Sequence, residues 1–113
     1  MITSSAKAKG RRLQQRVRDS IIDAFPILTS ADVASNPMSC PGCDIVLSQS
    51  ARVLFPYAIE CKNCESWTIP AWWTQTTANA KKEGLKPLLV VSKNRQDPLV
   101  IMSYDDFIEL VRK

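Results

Sequence analysis

Asp44, Glu60 and Lys62 are the residues whose types and spacing could do chemistry first. Two carboxylates on neighbouring strands can converge on a divalent cation, with the main-chain carbonyl of Cys61 and waters completing an oxygen shell suited to Mg²⁺. Such a cation would polarise a phosphodiester and acidify its water. Lys62, two residues after Glu60, points to the same side of a strand and could orient that water or stabilise developing charge. The same stretch also carries Cys40-x₂-Cys43-x₁₇-Cys61-x₂-Cys64, a spacing suited to a four-thiolate structural Zn²⁺. Each set explains residues that the other leaves idle.

Composition narrows the choice. The chain has 113 residues, enough for one core, with a net charge of +4 and no histidine. Histidine triads, histidine general bases and mixed Cys/His zinc sites are therefore excluded. No apolar run approaches the roughly 20 residues needed to span a membrane, and MITSSAKAKGRR lacks the apolar core of a signal peptide. A cytoplasmic location (that of the host cell for a viral protein) is the expectation, and there cysteines serve as thiols or metal ligands rather than disulfides. Lys7, Lys9, Arg11, Arg12, Arg16 and Arg18 crowd the first 18 residues without one acid. That cluster calls for an anionic partner, nucleic acid first, with a solvated helix face as the plain alternative.

The elements that must carry these residues follow from periodicity. Residues 1–6 read as a flexible tail and 7–113 as a single domain. Leu13, Val17, Ile21, Ala24 and Phe25 recur at helical spacing, predicting an amphipathic helix from Lys7 that Pro26 ends. Ile27–Ser35 is a short strand. Asp44–Ser48 and Tyr57–Lys62 form a hairpin whose connection holds Arg52, a further DNA-contact candidate. Its alternation turns Cys43 and Cys61 to the face away from Asp44 and Glu60, where they could meet. Thr68 caps a helix running to Glu83, closed by Gly84. Adjacent helix residues point apart, so one of Trp72 and Trp73 belongs to the core and the other can stack on bases. Leu88–Ser92 is a strand buried on both faces, Leu99–Ser103 another, and Tyr104–Lys113 a last amphipathic helix, either covering the sheet or forming a dimer face. The order is α-β-β-β-α-β-β-α, an α/β fold with a mixed sheet flanked by helices.

Lys9-Gly10-Arg11-Arg12, Gly42-x-Asp44-Ile45 and Ile59-Glu60-Cys61-Lys62-Asn63 resemble the PD-(D/E)XK nuclease superfamily, nearest to archaeal-type Holliday junction resolvases and their phage relatives. The resemblance runs over nearly the whole chain. It implies a restriction-endonuclease-like fold, a homodimer, and Mg²⁺-dependent nicking of branched, four-way-junction DNA, with Mn²⁺ as a substitute metal. It makes Asp44 and Glu60 metal ligands, Lys62 the catalytic lysine and Gln75 a supporting residue from the helix. Family members usually place a glutamate four residues after the helix glycine, and this chain has Gln14 there, a poorer ligand for a hard cation. Two other readings stay open. One is a nicking, repair or restriction-type nuclease of the same superfamily. The other is a zinc-ribbon protein that binds nucleic acid without cutting it, which leaves the α/β elements after residue 66 without a purpose.

Overall fold

The structure is a computed structural model describing residues 4–37 and 40–112; residues 1–3, 38, 39 and 113 lie outside what it describes. Its elements are α1 (Ser4–Ala24), β1 (Val33–Ser35), β2 (Ile45–Leu47), α2 (Gln49–Leu54), β3 (Tyr57–Asn63), α3 (Ile69–Glu83), β4 (Lys86–Ser92), β5 (Leu99–Ile101) and α4 (Tyr104–Val111). Among the described residues this is a mixed α/β arrangement of four helices and two sheets. The tail expected over 1–6 thus falls partly on residues outside the description, and Ser4–Ala6 already belong to α1.

β3, α3 and β4 form the central unit. β3 and β4 run parallel in the register Tyr57↔Lys86 to Asn63↔Ser92, and β5 adds antiparallel to β4. Parallel strands need a crossover, which α3 supplies. The apolar run Leu88–Val91 becomes the middle strand and is buried throughout, as its composition predicts. Alternation along β3 sends Tyr57, Ile59 and Cys61 into a core shared with Leu13 and Ile21 of α1. Ala58 faces the other way, against Ala80 of α3. Val17 and, just past the end of α1, Phe25 pack against the same core, while Ala24 stays exposed. Gly84 takes the left-handed conformation (φ 66°) and its N–H donates to the Ala80 and Lys81 carbonyls, ending α3 where expected.

The expected hairpin is a correction. β2 pairs with β1, antiparallel, and not with β3. The connection that was to carry Arg52 is the helix α2, whose start is capped by Ser48: its hydroxyl accepts from the Ala51 N–H at 3.1 Å. Pro56 follows directly on its C-cap, Phe55. Arg52 therefore lies on α2 rather than in a hairpin connection, and there it braces neighbouring elements. Its guanidinium donates to the Leu47 carbonyl (3.3 Å) and the Glu83 carbonyl (3.1 Å), and lies 3.5 Å from the Glu83 carboxylate.

α4 differs in a second way. Ser103 caps it, its hydroxyl accepting from the Asp106 N–H at 3.1 Å, yet none of its residues is buried. Tyr104, Phe107, Ile108, Leu110 and Val111 all remain exposed. It does not act as a covering helix within its own chain.

Candidate active site

Asp44 stands just before β2 and is locked onto the free edge of β3. Its N–H donates to the Ile59 carbonyl at 3.0 Å, and its Oδ2 accepts from the Cys61 N–H at 2.7 Å. Asn36 holds the loop that delivers it: its Nδ2 donates to the Pro41 and Cys43 carbonyls at 3.1 and 3.0 Å, and its N–H to the Asp44 carbonyl at 2.8 Å. Gly42 turns that loop with φ 101°, a conformation side chains rarely adopt.

Glu60 lies one residue before Cys61 and only 3% of its surface is exposed. Its Oε1 accepts from Asn79 Nδ2 of α3 at 2.5 Å. Burial raises the carboxyl pKa of both acids, and for Glu60 the neighbouring Asp44 charge raises it further, to about 7. Two acids held together in a desolvated wall cannot both ionise cheaply. Lys62 offsets this in part, lowering both values by its charge. Its Nζ sits 5.8 Å from the centre of the Trp72 ring.

These residues line one cavity of about 450 Å³, together with Gln14, Gln75 and Asn79. Gln14 is buried there, its Oε1 accepting from the Ser35 hydroxyl at 2.7 Å. Gln75 is exposed at the cavity wall, and Asn79, one turn further along α3, is the residue that grips Glu60. Asn36 and Asn79 were not singled out from the sequence. The Asn36-Pro37 turn and the i,i+4 spacing of Gln75 and Asn79 were their only signals.

The donor set fits a hard divalent cation. Two carboxylates offer oxygen, and their raised pKa values mark a deficit of positive charge between them. Within a strand a residue's N–H and C=O point to the same edge, so the Cys61 carbonyl faces the edge where its N–H meets Asp44. The cysteines do not fit zinc. Among the described residues no three Cys, Asp or Glu side chains gather to hold a metal ion. Cys43 packs with Ala58 and Ala80, whereas Cys61 packs in the core on the opposite face of β3. The expected meeting of these two thiols does not occur, because Asp44 lies against Cys61 along the strand edge. Burial pushes the Cys43 thiol up to about 11 and raises that of Cys61 as well. Cys40 and Cys64 are exposed. The tryptophan expectation also needs correcting: Trp72 and Trp73 are both half-buried, and neither is a core residue.

The basic residues of α1 divide by helical phase. Gly10 and Gln14 face the cavity that holds the carboxylates. Lys7, Arg11 and Arg18 line a groove beside β1, while Lys9, Arg12 and Arg16 line another beside the β4–β5 turn. The carboxylate cavity thus has cationic side chains on either side of it along one helix.

The model of a family described as "Phage putative PDDEXK endonuclease" matches residues 5–113. The chain belongs to that family. It is thereby a member of the PD-(D/E)XK superfamily, with phage relatives and a nuclease-type fold. The comparisons with curated proteins and with solved structures found no match. No described helix is long and apolar enough to cross a membrane.

Proposed function

We propose that this phage-family nuclease is a metal-dependent endodeoxyribonuclease that nicks branched DNA, acting as a Holliday junction resolvase in the host cytoplasm. The observation that carries the chemistry is the convergence of Asp44, Glu60 and Lys62 in one open cavity, with both acids titrating above their ordinary values. Mg²⁺, or Mn²⁺ in its stead, would be held by Asp44, Glu60 and the Cys61 carbonyl, with Gln14 at the margin, and would supply an acidified water and a polarised phosphodiester.

The chain's own residues do the rest. The Cys61 N–H fixes the Asp44 carboxylate, and Asn79 fixes that of Glu60, so neither rotamer is lost on binding. Lys62 brings a positive charge to the phosphoryl oxygens as negative charge develops there, and Gln75 supports the cavity wall. The two cationic stripes of α1 take backbone phosphates on either side of the scissile one, without reading sequence.

Junction selectivity rests on the resemblance of the motifs to resolvases. It is tested by cleavage of a synthetic four-way junction against a linear duplex, with Mg²⁺ or EDTA. Paired nicks at the branch, dependent on Mg²⁺, are expected. Equal cutting of both substrates would retain the nuclease and discard the junction.

A homodimer would bring two such cavities to opposing strands. The apolar face of α4 suits it: antiparallel pairing of two copies about a twofold axis sets Asp105 and Asp106 of one helix against Arg112 of the other. Sedimentation equilibrium is expected to give twice the 12.6 kDa chain mass, and Phe107→Glu to give monomers. A wild type that stays monomeric at tens of micromolar contradicts the dimer (that range being roughly where weak specific interfaces still associate).

A further inference from the structure

Beside the carboxylate cavity lies a second, smaller one of about 250 Å³, between α1 and the turn that joins β4 to β5. Lys9, Arg12 and Arg16 reach it from the helix, and Lys93 and Arg95 from the turn. Five cations from two distant stretches of chain therefore face one opening. Two carboxylates border them: Glu65, 3.8 Å from the partly buried Lys9 and accepting from the Asn94 N–H at 2.7 Å, and Asp97, 3.9 Å from Arg16 in an exposed pair of little strength. The balance stays strongly positive.

Three further features set this turn apart from an ordinary charged surface. Arg95 has φ 61°, left-handed backbone that a non-glycine residue adopts at a cost. Gln96 lines the same cavity, and its Nε2 is buried without a hydrogen-bond partner among the described residues. Lys93 holds its Nζ 5.4 Å from the centre of the Trp67 ring, whose Nε1 is anchored by the Cys64 and Ser92 carbonyls at 2.9 and 3.2 Å. Asn63 lines both cavities, so a strand leaving Glu60 and Lys62 along the end of β3 passes directly into this one.

We infer that Lys93 and Arg95, with Gln96 and the Lys9/Arg12/Arg16 stripe, form a dedicated subsite for a backbone phosphate of the bound DNA, flanking the scissile phosphate. The inference rests on the nuclease reading and extends it to residues of the β4–β5 turn. The subsite contributes affinity and strand direction, and takes no part in the hydrolysis.

The test is fluorescence anisotropy with a labelled DNA junction in EDTA, across a salt series, alongside single-turnover cleavage in Mg²⁺ at saturating DNA. Lys93→Ala/Arg95→Ala should bind on the order of 10-fold more weakly, with the slope of log K against log salt reduced by about 2, and should cleave at the wild-type rate once saturated. Lys81→Ala/Lys82→Ala, removing the same charge from the exposed end of α3, should leave the affinity unchanged. Arg95→Gly relieves the left-handed backbone, so it should weaken binding without lowering Tm. A turn variant that binds like the Lys81/Lys82 control, while the wild type binds and cuts, overturns the subsite and leaves the nuclease standing. A wild type that neither binds nor cuts DNA overturns both.

Discussion

Glu60→Gln is expected to abolish cleavage and, in the same molecule, to raise the melting temperature of the metal-free protein at pH 8. The first effect follows from removing one of two carboxylates that would hold the cation, whose contribution of several kcal/mol corresponds to a loss of at least about 10³-fold in rate. The second follows from burial. The Glu60 carboxyl titrates at about 7 in the folded chain against 4.5 as its ordinary value, chiefly through desolvation and then the Asp44 charge. A raised carboxyl pKa means that the folded state holds the proton more tightly than the unfolded state. The stability gained this way is complete below pH 4.5 and is lost as the pH rises through 7. Asp44 is raised as well and acts in the same direction. Glutamine carries no charge at any pH and can still accept from Asn79. The variant should therefore melt higher than wild type at pH 8 in EDTA, by on the order of 5 °C, and at the wild-type temperature at pH 4. Mg²⁺ should raise the wild-type Tm at pH 8 and leave the variant's unchanged. Scanning calorimetry at the two pH values reads all of this, and a variant less stable than wild type at pH 8 would contradict the charge deficit.

Lys62→Met should lower the single-turnover rate about 10²–10³-fold, the usual cost of removing one preorganised charge from a developing anion. Methionine retains the apolar stem beside Trp72, so folding should not suffer. DNA affinity in EDTA should stay near wild type, since Lys62 is one positive charge among many on this face. That split between rate and binding distinguishes a group acting on the reacting phosphate from a general DNA contact. A loss below tenfold, or one that appears wholly in affinity, would place Lys62 with the phosphate-binding lysines instead.

What the sequence could convey depended on whether the information was local. Asp44, Glu60 and Lys62 were readable because strand alternation alone puts Glu60 and Lys62 on one side, and the structure brings them into one cavity with Asp44. The buried middle strand and the closure of α3 at Gly84 were local signals too. Helix α2 was also signalled, by Ser48 as its cap and Pro56 as its stop, but six residues are too few for periodicity to outweigh the pull toward a hairpin. That one misreading carried the cysteines with it. Pairing β2 with β3 would have turned Cys43 and Cys61 to a common face, whereas Asp44 bridges to Ile59 and Cys61 at the edge of β3 and leaves the two thiols in different parts of the core. Lys93 and Arg95 were not legible at all, and Asn79 only through its i,i+4 spacing from Gln75. Their roles arise only when α3 folds over β3 and when the β4–β5 turn swings against α1, contacts between stretches far apart in the chain. The unburied apolar face of α4 was visible as amphipathic spacing, but spacing does not say which surface it meets.

The two acids, a divalent cation and phosphodiester cleavage are linked in one proposed site. The most direct test is calorimetric titration of Mg²⁺ or Mn²⁺ into wild type and Asp44→Asn at pH 8, with cleavage of a labelled DNA junction followed on the same samples. Saturable metal uptake accompanied by nicking in the wild type, both lost together in Asp44→Asn and both suppressed by EDTA, is the predicted result. Nicking that persists in Asp44→Asn or in EDTA would contradict it.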